Sequence, residues 1–288
     1  MSSVSLVLKF GGELLEDRVR LDTVVSAVAR VAREDPRFAA VVVHGGGKEI
    51  DRALKAAGIE TRQVDGLRIT DEATLDVVVG VLAGSINTRL VAALTAAGVR
   101  AVGLTGADAG CGLSDPAPIH QAVDGRSVDL GRVGIPNSSS DTTLLATLLG
   151  NGFLPVVACI GMTRNGDLLN VNADTLAGHL AARLGANRLV IAGTTAGVLG
   201  PDGSTRALLD QAAIERLVSD GTATAGMVAK LRACEQAVAA GVGDAVIIDG
   251  RDDSAIVAAA KGEVPPGSTR VTGRNTYAGD RLPESVRR

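Results

Sequence analysis

Two glycine clusters, Gly11-Gly12 and Gly45-Gly46-Gly47, each stand directly after an apolar, β-branched run. Glycine lets a backbone approach a ligand closely and turn its N–H groups outward, and a helix opening there adds the positive end of its dipole, so the pair suits an anion, phosphate above all. Either cluster alone also serves as a tight strand-to-helix turn. Neither fits a standard nucleotide fingerprint. Gly47-Lys48 is followed by Glu49 where a P-loop needs Ser or Thr, and residues 45–47 lack the third spaced glycine of a dinucleotide site.

Lys9 ends the first apolar run, a costly place for an ammonium unless the strand end delivers it to a site. The chain holds 29 basic residues, and only Lys9, Lys48, Lys55, Lys230 and Lys261 are lysines, so where a lysine stands is informative. Lys230 shares a helical segment with the apolar stripe Met227, Leu231, Cys234 and Val238; by itself it reads as a solvated helix lysine, as do Lys48 and Lys55. Asn170-Val171-Asn172-Ala173-Asp174 sets three polar side chains at alternate positions, which an extended segment would aim together, although Asp174 serves equally well as a helix cap. Arg68 alternates with Leu67 and Ile69, and is either an exposed strand residue or a carboxylate clamp. His44, His120 and His179 have no metal or triad spacing. Cys111, Cys159 and Cys234 are odd in number and widely spaced, which indicates neither a disulfide framework nor a zinc site but free thiols of a reducing compartment.

The elements that must hold these residues follow from periodicity. Residues 4–9 read as a strand, 21–33 as a helix with Leu21, Val24, Val25, Val28 and Val31 on one face, and 39–43 as a strand covered on both faces. A helix over 49–57 ends at Gly58, a hairpin turns at Asp65-Gly66, and one long helix runs over 71–97 with Thr70 as its N-cap. Strand 101–104 precedes a stretch rich in Gly, Asp and Pro over 105–139, with short hairpin strands such as 127–133. Helix 141–149, strand 155–159, a turn at 165–167 and helix 173–184 come next. Strand 188–192, helices 211–218 and 226–240, strand 245–248, helix 254–261 and strand 269–271 complete the alternation, which makes an α/β fold with a mainly parallel sheet.

With 288 residues, 46% hydrophobic and 21% charged, the chain can bury a large core in one α/β unit or two lobes. A net charge of -3, with only Phe10, Phe38, Phe153 and Tyr277 as aromatics, gives neither a basic face nor a base-stacking platform, so nucleic acid is excluded as a partner. The N-terminus lacks the layout of a signal peptide. The uncharged stretch 142–163 is split by Gly150-Asn151-Gly152 and Pro155, so no membrane span is expected there, and the location expected is cytoplasmic.

Taken in order, Lys9-Phe10-Gly11-Gly12, His44-Gly45-Gly46-Gly47, Asp65-Gly66-Leu67-Arg68-Ile69-Thr70-Asp71, Asn170-Val171-Asn172-Ala173-Asp174 and Gly226-Met227-Val228-Ala229-Lys230 strongly resemble the N-acetyl-L-glutamate kinases of the amino acid kinase family. The similarity runs from about residue 4 to residue 271. The first two motifs are shared across the whole family; the third and fourth favour acetylglutamate. The resemblance implies a three-layer αβα sandwich, with residues 1–185 as a lobe for the amino-acid substrate and dimerisation, 186–273 as a lobe for ATP with Mg²⁺, and 274–288 as a flexible tail. It implies phosphorylation of the side-chain carboxylate of N-acetyl-L-glutamate, the second step of arginine biosynthesis. By the same resemblance Lys9 and Lys230 contact the phosphoryl oxygens and Asp174 holds the two ammonium groups. Gly11, Gly12, Gly45 and Gly46 offer N–H donors, Arg68 clamps the α-carboxylate and Asn170 holds the acetamido group. Thr194, Gly197, Gly226 and Met227 fall on the nucleotide side, and no protein residue is assigned to a metal.

Two departures from the family pattern stand out. Thr194-Thr195-Ala196-Gly197 replaces the usual Asp-Val-x-Gly, which leaves the nucleotide contacts there open. Few residues precede the first strand, so the helix that links arginine-inhibited hexamers is missing, and a homodimer without arginine feedback is expected. Two other readings stay open at this point: a related acyl-phosphate-forming kinase, such as one acting on carrier-linked aminoadipate, and a noncatalytic sensor on the same fold.

Overall fold

The computed structural model describes residues 6–35, 38–223 and 225–273; the tail expected over 274–288 lies outside the described residues. Eight strands build the central sheet in the order Leu208–Leu209, Thr269–Val271, Asp244–Asp249, Arg188–Gly193, Leu6–Phe10, Ala40–His44, Leu154–Ala158, Ala101–Thr105. Every neighbouring pair is parallel except Asp244–Asp249 against Thr269–Val271. Helices Arg18–Glu34, Asn87–Ala96 and Asp253–Ala260 pack together as one outer layer, and Ala173–Leu184 with Ala225–Ala239 as the other. The result is a three-layer αβα sandwich.

The innermost strands carry no polar alternation because both faces are covered: all of Leu6–Phe10, Ala40–His44, Leu154–Ala158 and Arg188–Gly193 is buried. Lys9 sits in this setting, in register with Ile191 on one side and Val43 on the other. Both glycine clusters follow adjacent central strands at their carboxyl ends, where open α/β sheets receive ligands. A smaller sheet, Ile160–Met162, Leu168–Val171, Val133–Pro136 and Ser114–Pro116, brings Asn170 to the same end.

Three expectations need correction. The helix after the hairpin is capped by Asp71, whose side chain accepts from Thr74 N–H; Thr70 is buried and makes a bridge to Gly131 instead. That helix is not regular: Glu72–Val79 and Asn87–Ala96 are joined by a π-helical turn, Gly80–Ile86, to which apolar periodicity is blind. The strand expected over 127–133 divides into Ser127–Val128 and the start of Val133–Pro136, in different sheets, because Gly131 at φ +69° turns the chain between them. The uncharged stretch 142–163 does divide, into helix Thr143–Gly150 and strands Leu154–Ala158 and Ile160–Met162. Among the described residues one stretch, Glu72–Ala96, is long and apolar enough to cross a membrane; in this fold its last part packs on edge strand Ala101–Thr105 and helix Arg18–Glu34.

Candidate active site

Helix Ala173–Leu184 begins at the centre of the site because Asn172, at its N-cap, accepts from the N–H groups of Asp174 and Thr175, a cap worth about 1 kcal/mol. With capping done by Asn172, the Asp174 carboxylate is free for other partners. Lys9 Nζ lies 2.8 Å from its Oδ1 and Lys230 Nζ 3.3 Å from its Oδ2. The Lys9 contact, the shorter of the two, joins a buried pair. Lys9 and Asp174 are each 6% exposed at the side chain and Lys230 18%, which places Lys230 nearer the opening.

Burial alone would lower the pKa of the Lys9 ammonium, but Asp174 beside it, aided by Glu13, outweighs that and holds it above its usual 10.5. Burial likewise works against an ionised Asp174, and the two lysines outweigh it, holding the carboxyl below its usual 3.8. Lys9 is therefore an ammonium ion and Asp174 a carboxylate at neutral pH. Within the triad one carboxylate stands between two cations, and Glu13 on the cleft wall is the further acid whose charge reaches Lys9.

That cleft, of about 410 Å³, is lined by Lys9, Gly11, Gly12, Gly45, Gly46, Arg68, Asn170, Asp174, Gly226 and Lys230. The sequence scatters these residues over more than two hundred positions, and the sheet brings them to one end. The two glycine loops are packed against each other: a Cβ on Gly12 would sit 2.5 Å from Gly46 Cα, so only glycines permit the approach. Two of the four expected donors are committed to the loop itself, Gly11 N–H to Ala192 O and Gly45 N–H to Phe10 O. The Gly12 and Gly46 N–H groups have no hydrogen-bond partner among the described residues.

Arg68 is held across the cleft by Asp51, with Nη2 2.6 Å from Oδ1, and its Nη1 is buried without a partner. An unpaired buried guanidinium donor is costly, and a ligand carboxylate would satisfy it. Asn170 donates Nδ2 to Thr70 Oγ1, which fixes its side chain on the opposite wall. Met227 and Gly197 line a second, largely apolar cavity of about 340 Å³ with Thr195, Val198, Leu199 and Ala223; Thr194 lines neither. The first turns of helix Ala225–Ala239 lie between the two, with Gly226 and Lys230 on one side and Met227 on the other.

Some contributors were not legible. Gly178, inside helix Ala173–Leu184, costs about 1 kcal/mol relative to Ala. A Cβ there would sit 2.9 Å from Ala233 O, so glycine lets helix Ala225–Ala239 come close enough for Lys230 to meet Asp174. A mid-helix glycine one turn after a candidate carboxylate was the available signal. Asp51 and Glu13, both on the cleft wall, stand at positions where exposed acids are ordinary. No three His, Cys, Asp or Glu side chains converge as a metal cage among the described residues.

Residues 5–249 match the Amino acid kinase family. The chain belongs to the amino acid kinase family. It is 42% identical over 262 residues to the acetylglutamate kinase of Novosphingobium aromaticivorans, covering 86% of this chain and 84% of that one. It is also 42% identical over 244 residues to the acetylglutamate kinase of Methanopyrus kandleri, covering 84% and 93%. Among solved structures, smu.665 of Streptococcus mutans superposes with a TM-score of 0.77 at 25% identity over 94% of this chain and 99% of that one. An isopentenyl phosphate kinase superposes with a TM-score of 0.61 at 20% identity over 93% and 100%, a likeness of fold alone.

Proposed function

We propose that this family member is an ATP-dependent acetylglutamate kinase, acting at the second step of arginine biosynthesis. The observation that carries the reading is the Lys9–Asp174–Lys230 array facing a cleft whose opposite wall holds Arg68 with an unpaired donor. Identity to acetylglutamate kinases over most of the chain supports the choice of acceptor. An oxygen of the acceptor's side-chain carboxylate attacks the γ-phosphorus of ATP, the bond to the β,γ-bridging oxygen breaks with its electron pair, and N-acetyl-L-glutamyl 5-phosphate and ADP result. The carboxylate is already a nucleophile, so no base is needed, and catalysis rests on positioning and charge neutralisation.

Lys9 and Lys230 neutralise the transferring and leaving oxygens, and Asp174 keeps the two ammonium groups apart and aimed. Gly12 and Gly46 supply N–H donors beside the turns at Gly11 and Gly45. Arg68 takes the α-carboxylate and Asn170 the acetamido group. Residues 1–185 bind the amino acid; residues 186–273 bind ATP, with its phosphates toward Gly226 and its base toward the cavity of Gly197 and Met227, and Thr194 at the edge between. Mg²⁺ carried on the nucleotide's phosphates fits, since that ion keeps waters and needs only one or two protein carboxylates. Glu13 is the cleft carboxylate without an ion-pair partner among the described residues. The ion would draw off negative charge from the phosphates.

The protein works as a cytoplasmic homodimer. Edge strand Ala101–Thr105 is half-exposed, and the apolar stretch Glu72–Ala96 beside it is only partly buried, which supports a second copy as cover. ADP release by purified protein, with acetylglutamate, aminoadipate, aspartate and uridylate offered in turn, tests the assignment. Turnover of acetylglutamate above the other three is expected, and none with acetylglutamate would overturn the assignment.

A further inference from the structure

We propose that His44 and Asn87 act as positioning residues that set the direction of the Gly46 N–H in the cleft. His44 is the last residue of strand Ala40–His44 and has no solvent exposure. Its ring nitrogens have different neighbours: Nδ1 lies 3.3 Å from Gly45 O and Nε2 3.0 Å from Asn87 Nδ2. Asn87 fixes which of them carries the proton. Its Nδ2 also lies 2.9 Å from Val156 O and 3.5 Å from Leu104 O, so that atom is the donating nitrogen of the amide and not its oxygen. A donor facing Nε2 requires a lone pair there. The neutral ring then holds its proton on Nδ1 and donates it to Gly45 O. Burial keeps the ring neutral, drawing its pKa from 6.5 to about 4, with the Arg89 charge adding to the effect.

The Gly45–Gly46 peptide is planar and trans, so its carbonyl and its N–H point to opposite sides. A carbonyl held on buried His44 turns the Gly46 N–H away from the sheet, toward the cleft that Gly46 lines. Accepting a hydrogen bond at the carbonyl also polarises the same amide into a stronger donor. Gly46 is confined from its other side by the π-helical turn Gly80–Ile86: a Cβ on it would lie 2.2 Å from Ile86 Cδ1 and 2.9 Å from Leu82 Cδ2. Asn87 follows directly on that turn. One irregular turn therefore confines the loop and delivers the amide that fixes the histidine tautomer.

This inference rests on the cleft being the phosphoryl-transfer site. The Gly46 N–H then meets charge that grows as the phosphoryl group moves, so the relay acts on kcat more than on KM. Two isosteric variants separate it from a packing role. His44→Gln sets an amide at the Nε2 position, keeping Asn87 partnered and removing the donor to Gly45; His44→Asn sets its amide at the Nδ1 position and keeps that donor. With both folded by thermal melting, His44→Gln is expected to lose about tenfold or more in kcat with KM for acetylglutamate within about twofold, and His44→Asn to recover most of that loss. Equal kcat in the two variants, or kcat that follows melting temperature alone, overturns the proposal. ¹⁵N NMR of wild-type protein labelled in its imidazoles reads the tautomer without turnover. A proton on Nδ1 of His44 is expected, and a proton on Nε2 overturns it. Wild-type protein inactive on acetylglutamate would defeat the functional assignment instead, and the NMR measurement still decides the tautomer.

Discussion

Two buried clusters in this fold have the same inventory, one carboxylate between two cations, and opposite ends of the sheet. At the amino ends of strands Arg188–Gly193 and Asp244–Asp249, Arg188 forks onto Asp244 through Nε and Nη2 at 2.7 Å each, sends Nη1 to Ala259 O and Glu263 O, and Arg270 adds Nε at 2.8 Å. At the carboxyl ends, Lys9 and Lys230 make single-point contacts to Asp174 beside a cleft. The arginine cluster is closed: the planar fork of Arg188 is matched by carboxylate and carbonyl oxygens, and Arg270 adds a third contact to the same carboxylate. The lysine cluster is open, because an ammonium has three rotatable donors and only one is used on Asp174. Equal charge inventories therefore do different things. Saturated partners fasten strands; unsaturated ones wait for a ligand.

The largest expected effect breaks that comparison if it fails. Lys230→Ala is expected to lower kcat by about a thousandfold or more with little change in melting temperature, because a charge contact made chiefly in the transition state is lost. Arg188→Ala, at the other end, is expected to cost about 3–5 kcal/mol of stability by leaving Asp244 buried with only the half-exposed Arg270, while the folded fraction keeps its turnover. Steady-state kinetics and urea unfolding on both variants measure this. Stability loss without rate loss at Lys230, or rate loss without stability loss at Arg188, would reverse the assignment of roles.

The sequence shows one of these clusters and hides the other for a physical reason. Lys9 is conspicuous because an ammonium inside an apolar strand is anomalous, and glycine clusters after two strands mark the sheet's ligand-binding end. The alternation of strands and helices, down to helix Ala173–Leu184 and strand Thr269–Val271, follows from periodicity because those segments are covered on defined faces. Asp244 and Arg188 stand at strand starts, where charged residues are ordinary, and only the sheet order pairs them across 56 residues. Lys230 reads as a solvated helix lysine until Gly178 lets its helix approach. The π-helical turn at Gly80–Ile86 is invisible for a different reason: apolar spacing runs on through it, and its glycines, Gly80 and Gly84, are also tolerated inside an ordinary helix.

Exchange of the cation types gives a smaller and sharper effect. Arg188→Lys keeps the charge and loses the fork, so about 2 kcal/mol of stability should go with activity retained. Lys9→Arg keeps the charge as well, but a guanidinium would engage Asp174 as a fork and fill the space between the glycine loops, so kcat should fall at least as far as in Lys9→Met. Rates for the three variants, normalised to folded protein, give the ordering. Near-wild-type turnover in Lys9→Arg would mean that the site asks only for charge.

The smallest effect concerns pH. Asp174 is held below its ordinary 3.8, so its ionisation contributes stability above that value, lost as pH falls through the lower folded pKa. Lys9 is held above its ordinary 10.5, so its contribution is complete below that value and lost only as pH rises through the higher folded pKa. Between these limits neither Asp174 nor Lys9 titrates. The difference in unfolding free energy between wild type and Asp174→Asn should therefore change by less than about 1 kcal/mol from about pH 5 to 9, and fall away below about pH 4. Unfolding titrations at several pH values measure it. A marked slope through neutrality would mean that Asp174 or Lys9 changes charge there, and the pair that must face a phosphoryl group would no longer be preset.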